Sequence, residues 1–216
     1  MRRDRLGSRL LMAVLVLLPL AVATGAADPG AKPAPIGAAE GRTVRVLVAY
    51  YSLSGNTKQM AQGVADGARR VPGVATVVKE VDKVSKDDLQ VADAIILGCP
   101  AYFANIPGKM KTAIDDWNWK MKVDFTDKVG GAFSTGGGQV GGKEFVVVSL
   151  LLFMINNRMV VAGPLYQDAE GDDKWGEAGA SAMTGPLDPG VSPQELDSAH
   201  RLGERIARLA KKLPRD

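Results

Sequence analysis

Tyr51-Ser52-Leu53-Ser54-Gly55-Asn56-Thr57 joins an apolar, β-branched run, Thr43–Tyr51, to a segment with helical spacing at Met60, Ala61, Val64, Ala65 and Ala68. The run predicts a strand buried on both faces, and the spacing predicts a helix over Thr57–Arg70. A strand-to-helix turn of this composition is an anion site. The first N–H groups of a helix have no intrahelical acceptor, and its N-terminus is the positive end of the dipole. Ser52, Ser54, Asn56 and Thr57 add side-chain donors, and Gly55 lets the backbone come close to a phosphate. The heptapeptide holds no lysine or arginine. Neutral donors suit a monophosphate, whereas a triphosphate loop would carry a lysine.

Downstream, Pro72-Gly73 stops the first helix, and Ala75–Val81 and the run Ala94–Gly98 (AIILG) read as the second and third strands. Pro107 suits the first position of a helix with a stripe of Met110, Ala113, Ile114 and Trp117. Val129–Ser134 reads as the fourth strand, Gly136–Gly142 as a glycine-rich loop, and Met159–Ala162 as the fifth strand. Phe145–Ile155 is apolar all round and too short for a membrane span, which predicts a deeply covered helix. Gly163–Gly190 reads as irregular. Ser192-Pro193-Gln194-Glu195 is a capping box opening a last helix with Leu196, Ala199, Leu202, Ile206, Leu209 and Leu213 on one face. Strands alternating with helices predict an α/β domain, a parallel sheet covered on both faces.

The N-terminus is of another kind. Met1–Arg9 is basic, Leu10–Ala23 is apolar but for Pro19, and small residues fill Ala21–Ala27. That is the layout of a secretory signal peptide over residues 1–27, with an uncleaved anchor as the second reading. Arg2-Arg3 is followed at once by Asp4, which makes a poor twin-arginine signal. Residues 28–41 (DPGAKPAPIGAAEG) read as a flexible linker, and residues 42–216 as the domain. The expected location is the periplasm, with membrane contact only through the leader.

The formal net charge is +3. Arg2, Arg3, Arg5 and Arg9 against Asp4 lie in the leader, so the rest has 23 basic and 23 acidic residues. A neutral domain has no footprint for nucleic acid. One cysteine, Cys99, and one histidine, His200, exclude an internal disulfide, a CxxC pair and a multi-histidine metal site. At a strand end, Cys99 reads as a packing residue. His200 reads as a surface or packing residue, Asp115-Asp116 as a solvated helix face, and Trp117 and Trp119 as packing residues.

The segments YSLSGNTKQMA, GVADGARRVPGVATVVKEV, ADAIILGCPAYFANIPGKMKTAIDDW, GGAFSTGGGQVGGKE, KWGEAGASAMTGP and QELDSAHRLGERIA, in that order, resemble the flavodoxin-like superfamily. The similarity is closest to the WrbA-type NAD(P)H:quinone oxidoreductases and spans most of Arg45–Leu213. It implies a flavodoxin-like three-layer sandwich, a five-stranded parallel sheet of order 2-1-3-4-5 with ligand at the strands' C-terminal ends. It implies FMN, its phosphate on Ser52, Ser54, Gly55, Asn56 and Thr57. Pro100, Ala101, Tyr102, Phe103 and Asn105, with Ala104 between, match one ring-flanking loop. Ser134, Thr135, Gly136, Gly137 and Gly138 match the other. Trp175 falls in the segment that resembles the family's site-covering loop. Tyr102 stands where the family usually has arginine, and Asn156-Asn157 where a histidine pair is common. Tyr102 and Asn157 are thus the candidates for catalysis, although an amide cannot donate a proton as histidine does. The implied partners are a small-molecule electron donor and a quinone-like acceptor, and the family analogy points to a homo-oligomer. An electron carrier of the cell envelope is the alternative reading.

Overall fold

The computed structural model describes residues 42–138, 141–165, 178–185 and 190–213. The leader, the linker and Trp175 lie outside the described residues.

The elements are β1 (Val44–Tyr50), α1 (Asn56–Arg69), β2 (Val74–Glu80), α2 (Lys86–Val91), β3 (Ala94–Pro100), α3 (Gly108–Trp119), β4 (Val129–Gly136), α4 (Lys143–Asn156), β5 (Val160–Val161), β6 (Ala180–Met183) and α5 (Pro193–Lys212). The sheet order is β2-β1-β3-β4-β5, and every pairing between these strands is parallel.

Period-two alternation assigns side chains to the two faces. Val44, Val46, Val48 and Tyr50 of β1 and Ala94 and Ile96 of β3 pack under α1 and α5, against Met60, Val64, Leu202 and Ile206. Leu47 and Ala49, with Ile95, Leu97 and Cys99, pack under α3 and α4, against Met110, Ile114, Trp117, Val146 and Leu150. Each valine, leucine, isoleucine or methionine among them contributes roughly 1.5–3 kcal/mol by leaving water.

Three expectations are corrected. A sixth strand, β6, lies inside the stretch read as irregular. It pairs with β4 at Phe133–Gly136, beyond the two residues at which β5 pairs with Val129 and Gly130. With β3 on the other edge of β4, β5 and β6 are two halves of one strand position, interrupted by the segment between them. The buried acid Glu195 fastens the second half, its carboxylate accepting Met183 N–H at 2.6 Å and Ser192 N–H at 2.7 Å. Second, among the described residues α4 is covered on one side only. Val146, Val147, Leu150 and Met154 are buried, while Phe145, Val148, Leu152 and Ile155 are exposed. Third, Trp117 is buried as expected, but Trp119 is 80% exposed and packs no core.

Two local readings hold in detail. Ser192 Oγ accepts Glu195 N–H, completing the capping box with Pro193 in the first turn. Asp115 and Asp116 form i,i+4 pairs with Lys111 and Lys120 on a solvated face. The sequence missed α2, six residues long, which Ser85 and Asp88 close with a second capping box.

Candidate functional site

The C-terminal ends of β1, β3 and β4 deliver three loops to one mouth. At the first, Gly55 is the N-cap of α1 with φ +100°, a left-handed conformation that favours glycine. No side chain caps α1, and its first turn holds no acidic residue. Ser52 Oγ accepts Gly55 N–H at 3.1 Å and thereby folds the loop, while its own hydroxyl proton stays available. Ser54 is exposed and Asn56 half-buried at the helix start. A Cβ built on Gly55 would meet no protein atom within 4 Å, so the space over the helix end is open.

Thr57 is buried and shares a 2.7 Å hydrogen bond with Thr135 at the end of β4. The bond uses one of the two hydroxyl protons and leaves the other for a ligand. It also ties the phosphate loop to the third loop. Ser134 does not reach the mouth with its side chain. It is fully buried and donates to Cys99 C=O at 2.9 Å, stitching β4 to β3. Gly136 ends β4, Gly137 and Gly138 follow, and Gly138 has φ +79° with open space about it.

Between these loops, Pro100 ends β3 and Ala101 N–H donates to Thr135 C=O at 2.7 Å. Tyr102 and Asn105 exchange two 3.0 Å backbone hydrogen bonds, closing a tight turn. Phe103 (φ +51°) and Ala104 (φ +59°) are its central residues, both left-handed and neither glycine. Such backbone costs about 1–2 kcal/mol per residue, so the surroundings hold it. Gly142 backs the turn so closely that a Cβ there would lie 2.5 Å from Ala104 Cα. The result presents Phe103 wholly to solvent. Tyr102 meets Tyr51 edge-on at 6.2 Å, and Lys109 Nζ stands 5.5 Å over the Tyr51 ring. Burial, and then the hydrogen bond with Tyr51, raises the Tyr102 phenol above its ordinary value, so it stays protonated at neutral pH.

Asn157 is not brought to this mouth. Because β4 and β5 are parallel neighbours, α4 must carry the chain from the C-terminal end of β4 back to the N-terminal end of β5. Asn157 closes the far end of α4, and its amide donates to Phe153 C=O at 2.8 Å. β4 is 8 residues long, and at about 3.3 Å per residue some 25 Å of strand separates the two ends. Within one copy of the chain, Asn157 therefore does not reach the mouth.

Two other residues settle on their plain readings. Burial pushes the Cys99 thiol up to about 12, which keeps it protonated and unreactive. Desolvation, followed by Arg70, lowers His200, which sits half-buried on α5.

The sequence reading missed Tyr51, Lys109 and Lys143. Lys143 follows the glycine loop directly, is 5% exposed, and donates to Gly138 C=O at 2.7 Å. Its place beside a glycine-rich loop was the available signal.

The donor set fits FMN. An uncapped helix N-terminus with hydroxyls and no acid suits a phosphate monoester. The two further loops, built from small residues and backbone groups beside aromatic side chains, suit the edges of a flat ring. A parallel doubly wound sheet with an anion cradle where the strand order reverses defines a nucleotide- or flavin-binding α/β protein.

The comparisons carry this further. Residues 78–171 match the family model described as NADPH-dependent FMN reductase. A flavodoxin of Aquifex aeolicus is 34% identical over 163 residues, covering 76% of this chain and 85% of that protein. An NAD(P)H dehydrogenase (quinone) of Geotalea uraniireducens is 29% identical over 206 residues, covering 80% of this chain and 100% of that one. Among solved structures, a flavodoxin, WrbA-like protein from Agrobacterium tumefaciens aligns with a TM-score of 0.59 at 24% identity, covering 77% of this chain and 97% of its own. The chain belongs to the flavodoxin family.

Proposed function

We propose that this FMN-binding oxidoreductase takes two electrons from a reduced nicotinamide and passes them to a quinone-type acceptor. One observation carries the reading: the loops Tyr51–Thr57, Pro100–Asn105 and Ser134–Gly138 contain no acidic residue, while Leu53 and Phe103 stand exposed among them. An apolar rim suits a flat, uncharged acceptor, and nearby Lys58 and Lys109 suit a donor that carries phosphates. A protein-docking electron carrier would instead present a charged ring for its partners.

When bound, FMN supplies the redox chemistry. The chain's part is to hold it. The α1 N-terminus binds the phosphate, the Thr57–Thr135 pair fixes the spacing of two loops, and Phe103 and Leu53 give the mouth an apolar rim. Tyr102 keeps its phenol proton, and turning it from Tyr51 to an acceptor oxygen would give that oxygen a hydrogen bond.

The test is an absorbance spectrum of the domain from residue 42, loaded with FMN, before and after anaerobic addition of NADH or NADPH. Rapid bleaching, reversed by a soluble quinone, is the expected result. A bound flavin indifferent to both nucleotides would overturn the nicotinamide reading and favour the carrier. The leader pattern at residues 1–27 supports export to the periplasm. Reduced nicotinamides are cytoplasmic, so the same spectrum also weighs that location against that donor.

The outer face of α4 supports self-association. Phe145, Val148, Leu152 and Ile155 fall evenly about position 150. An antiparallel two-fold contact would set Phe145 against Ile155 and Val148 against Leu152, the reciprocity that an isologous interface requires. Leu152→Glu is expected to reduce the mass measured by light scattering from dimer to monomer without loss of helix signal. A monomeric parent protein at its highest soluble concentration would refute the contact.

A further inference from the structure

Lys143 is placed where a cation is costly. It opens α4, so its charge lies at the positive end of that helix dipole. It is more than nine-tenths buried, and its Nζ has Gly138 C=O as partner at 2.7 Å. No carboxylate among the described residues pairs with it. Burial of an ammonium without a counter-charge is unfavourable. The stem is fixed too. A Cβ on Gly136 would meet Lys143 Cγ at 3.2 Å and Ala101 Cβ at 3.3 Å, which places the side chain beside Gly136, on the side of it that Ala101 also faces.

We infer that Lys143 is the electrostatic partner of the reduced cofactor ring, a positioning residue that raises the reduction potential by compensating the ring's negative charge. The inference rests on the FMN reading above. The phosphate already has the α1 N-terminus, so the anion left for Lys143 is the ring after reduction. Hydride transfer moves two electrons and one proton from the nicotinamide, and the ring gains one net negative charge. Lys143 compensates that charge from behind the Gly136–Gly138 loop. Reoxidation passes the hydride equivalent, with one solvent proton, to the quinone, which leaves as the hydroquinone.

The experiment compares the parent protein with Lys143→Met, Lys143→Gln and Lys143→Arg, each loaded with FMN. Three quantities are read: the dissociation constant of oxidised FMN by fluorescence, the two-electron midpoint potential against a reference dye, and the affinity for sulfite, which adds to the ring and leaves it anionic. In the Met and Gln variants the equilibrium should shift about tenfold toward oxidised FMN, a fall of about 30 mV in midpoint. Sulfite should bind about tenfold more weakly, while oxidised FMN still binds. Arg should restore both values. If Met fails to fold, Gln makes the same comparison. Unchanged potential and sulfite affinity in a neutral variant that holds FMN would overturn the assignment. So would weaker FMN binding with an unchanged midpoint. A parent protein that takes up no FMN would instead sink the functional reading itself.

Discussion

Gly55→Asp is expected to weaken FMN binding about a hundredfold while leaving the apo domain folded. Position 55 has φ +100° and is the N-cap of α1. Aspartate tolerates left-handed backbone better than most residues, and a carboxylate at a helix N-terminus is favourable by about 0.3–1 kcal/mol. The apo protein should therefore melt close to the parent temperature. The same carboxylate would occupy the open space above the helix end, where a Cβ meets no protein atom. There it would take the free N–H groups and repel a phosphate dianion. A hundredfold rise in the dissociation constant, about 2.7 kcal/mol, is the expected result of a fluorescence titration. Binding within threefold of the parent would remove the phosphate from this loop.

The second large effect is on the fold. Gly203→Val is expected to destabilise the domain by at least about 3 kcal/mol. α1 and α5 approach so closely that a Cβ on Gly203 would collide with Val64 C=O, and one on Gly67 with His200 C=O. The obstacles are backbone atoms, which no rotamer change can move aside. Relief would require the helices to separate, and that would open the layer in which Met60, Val64, Leu202 and Ile206 cover the sheet. For a domain of this size the melting temperature should drop by about 6–12 °C. A variant that melts within about 2 °C of the parent would show that the helix pair has slack the structure does not suggest.

What was legible depended on the range of the signal. The phosphate loop, the capping box at Ser192 and the stripes of α1, α3 and α5 are local codes, complete within a few residues. The first four strands were legible as apolar or β-branched runs, with ends misplaced by up to two residues. β6 was not, because Ala180-Ser181-Ala182-Met183 has neither length nor β-branched residues. It is a strand because β4 offers an unpaired edge and Glu195 holds its end. Asn157 was misplaced for a related reason. A helix fourteen residues long carries its two ends to opposite ends of the sheet, and reading along the chain does not show which end faces the ligand.

The sequence by itself determined the α/β class, the anion loop and its preference for a monophosphate, because backbone dihedrals and helix ends are set by neighbours in the chain. Only the tertiary structure decided which loops share the mouth, that Ser134 turns inward while Thr135 meets Thr57, and that α4 leaves one apolar face to solvent. It alone placed the ammonium of Lys143 in the interior beside the glycine loop. Such facts depend on distances between residues far apart in the chain, and packing of the layers against the sheet fixes those distances.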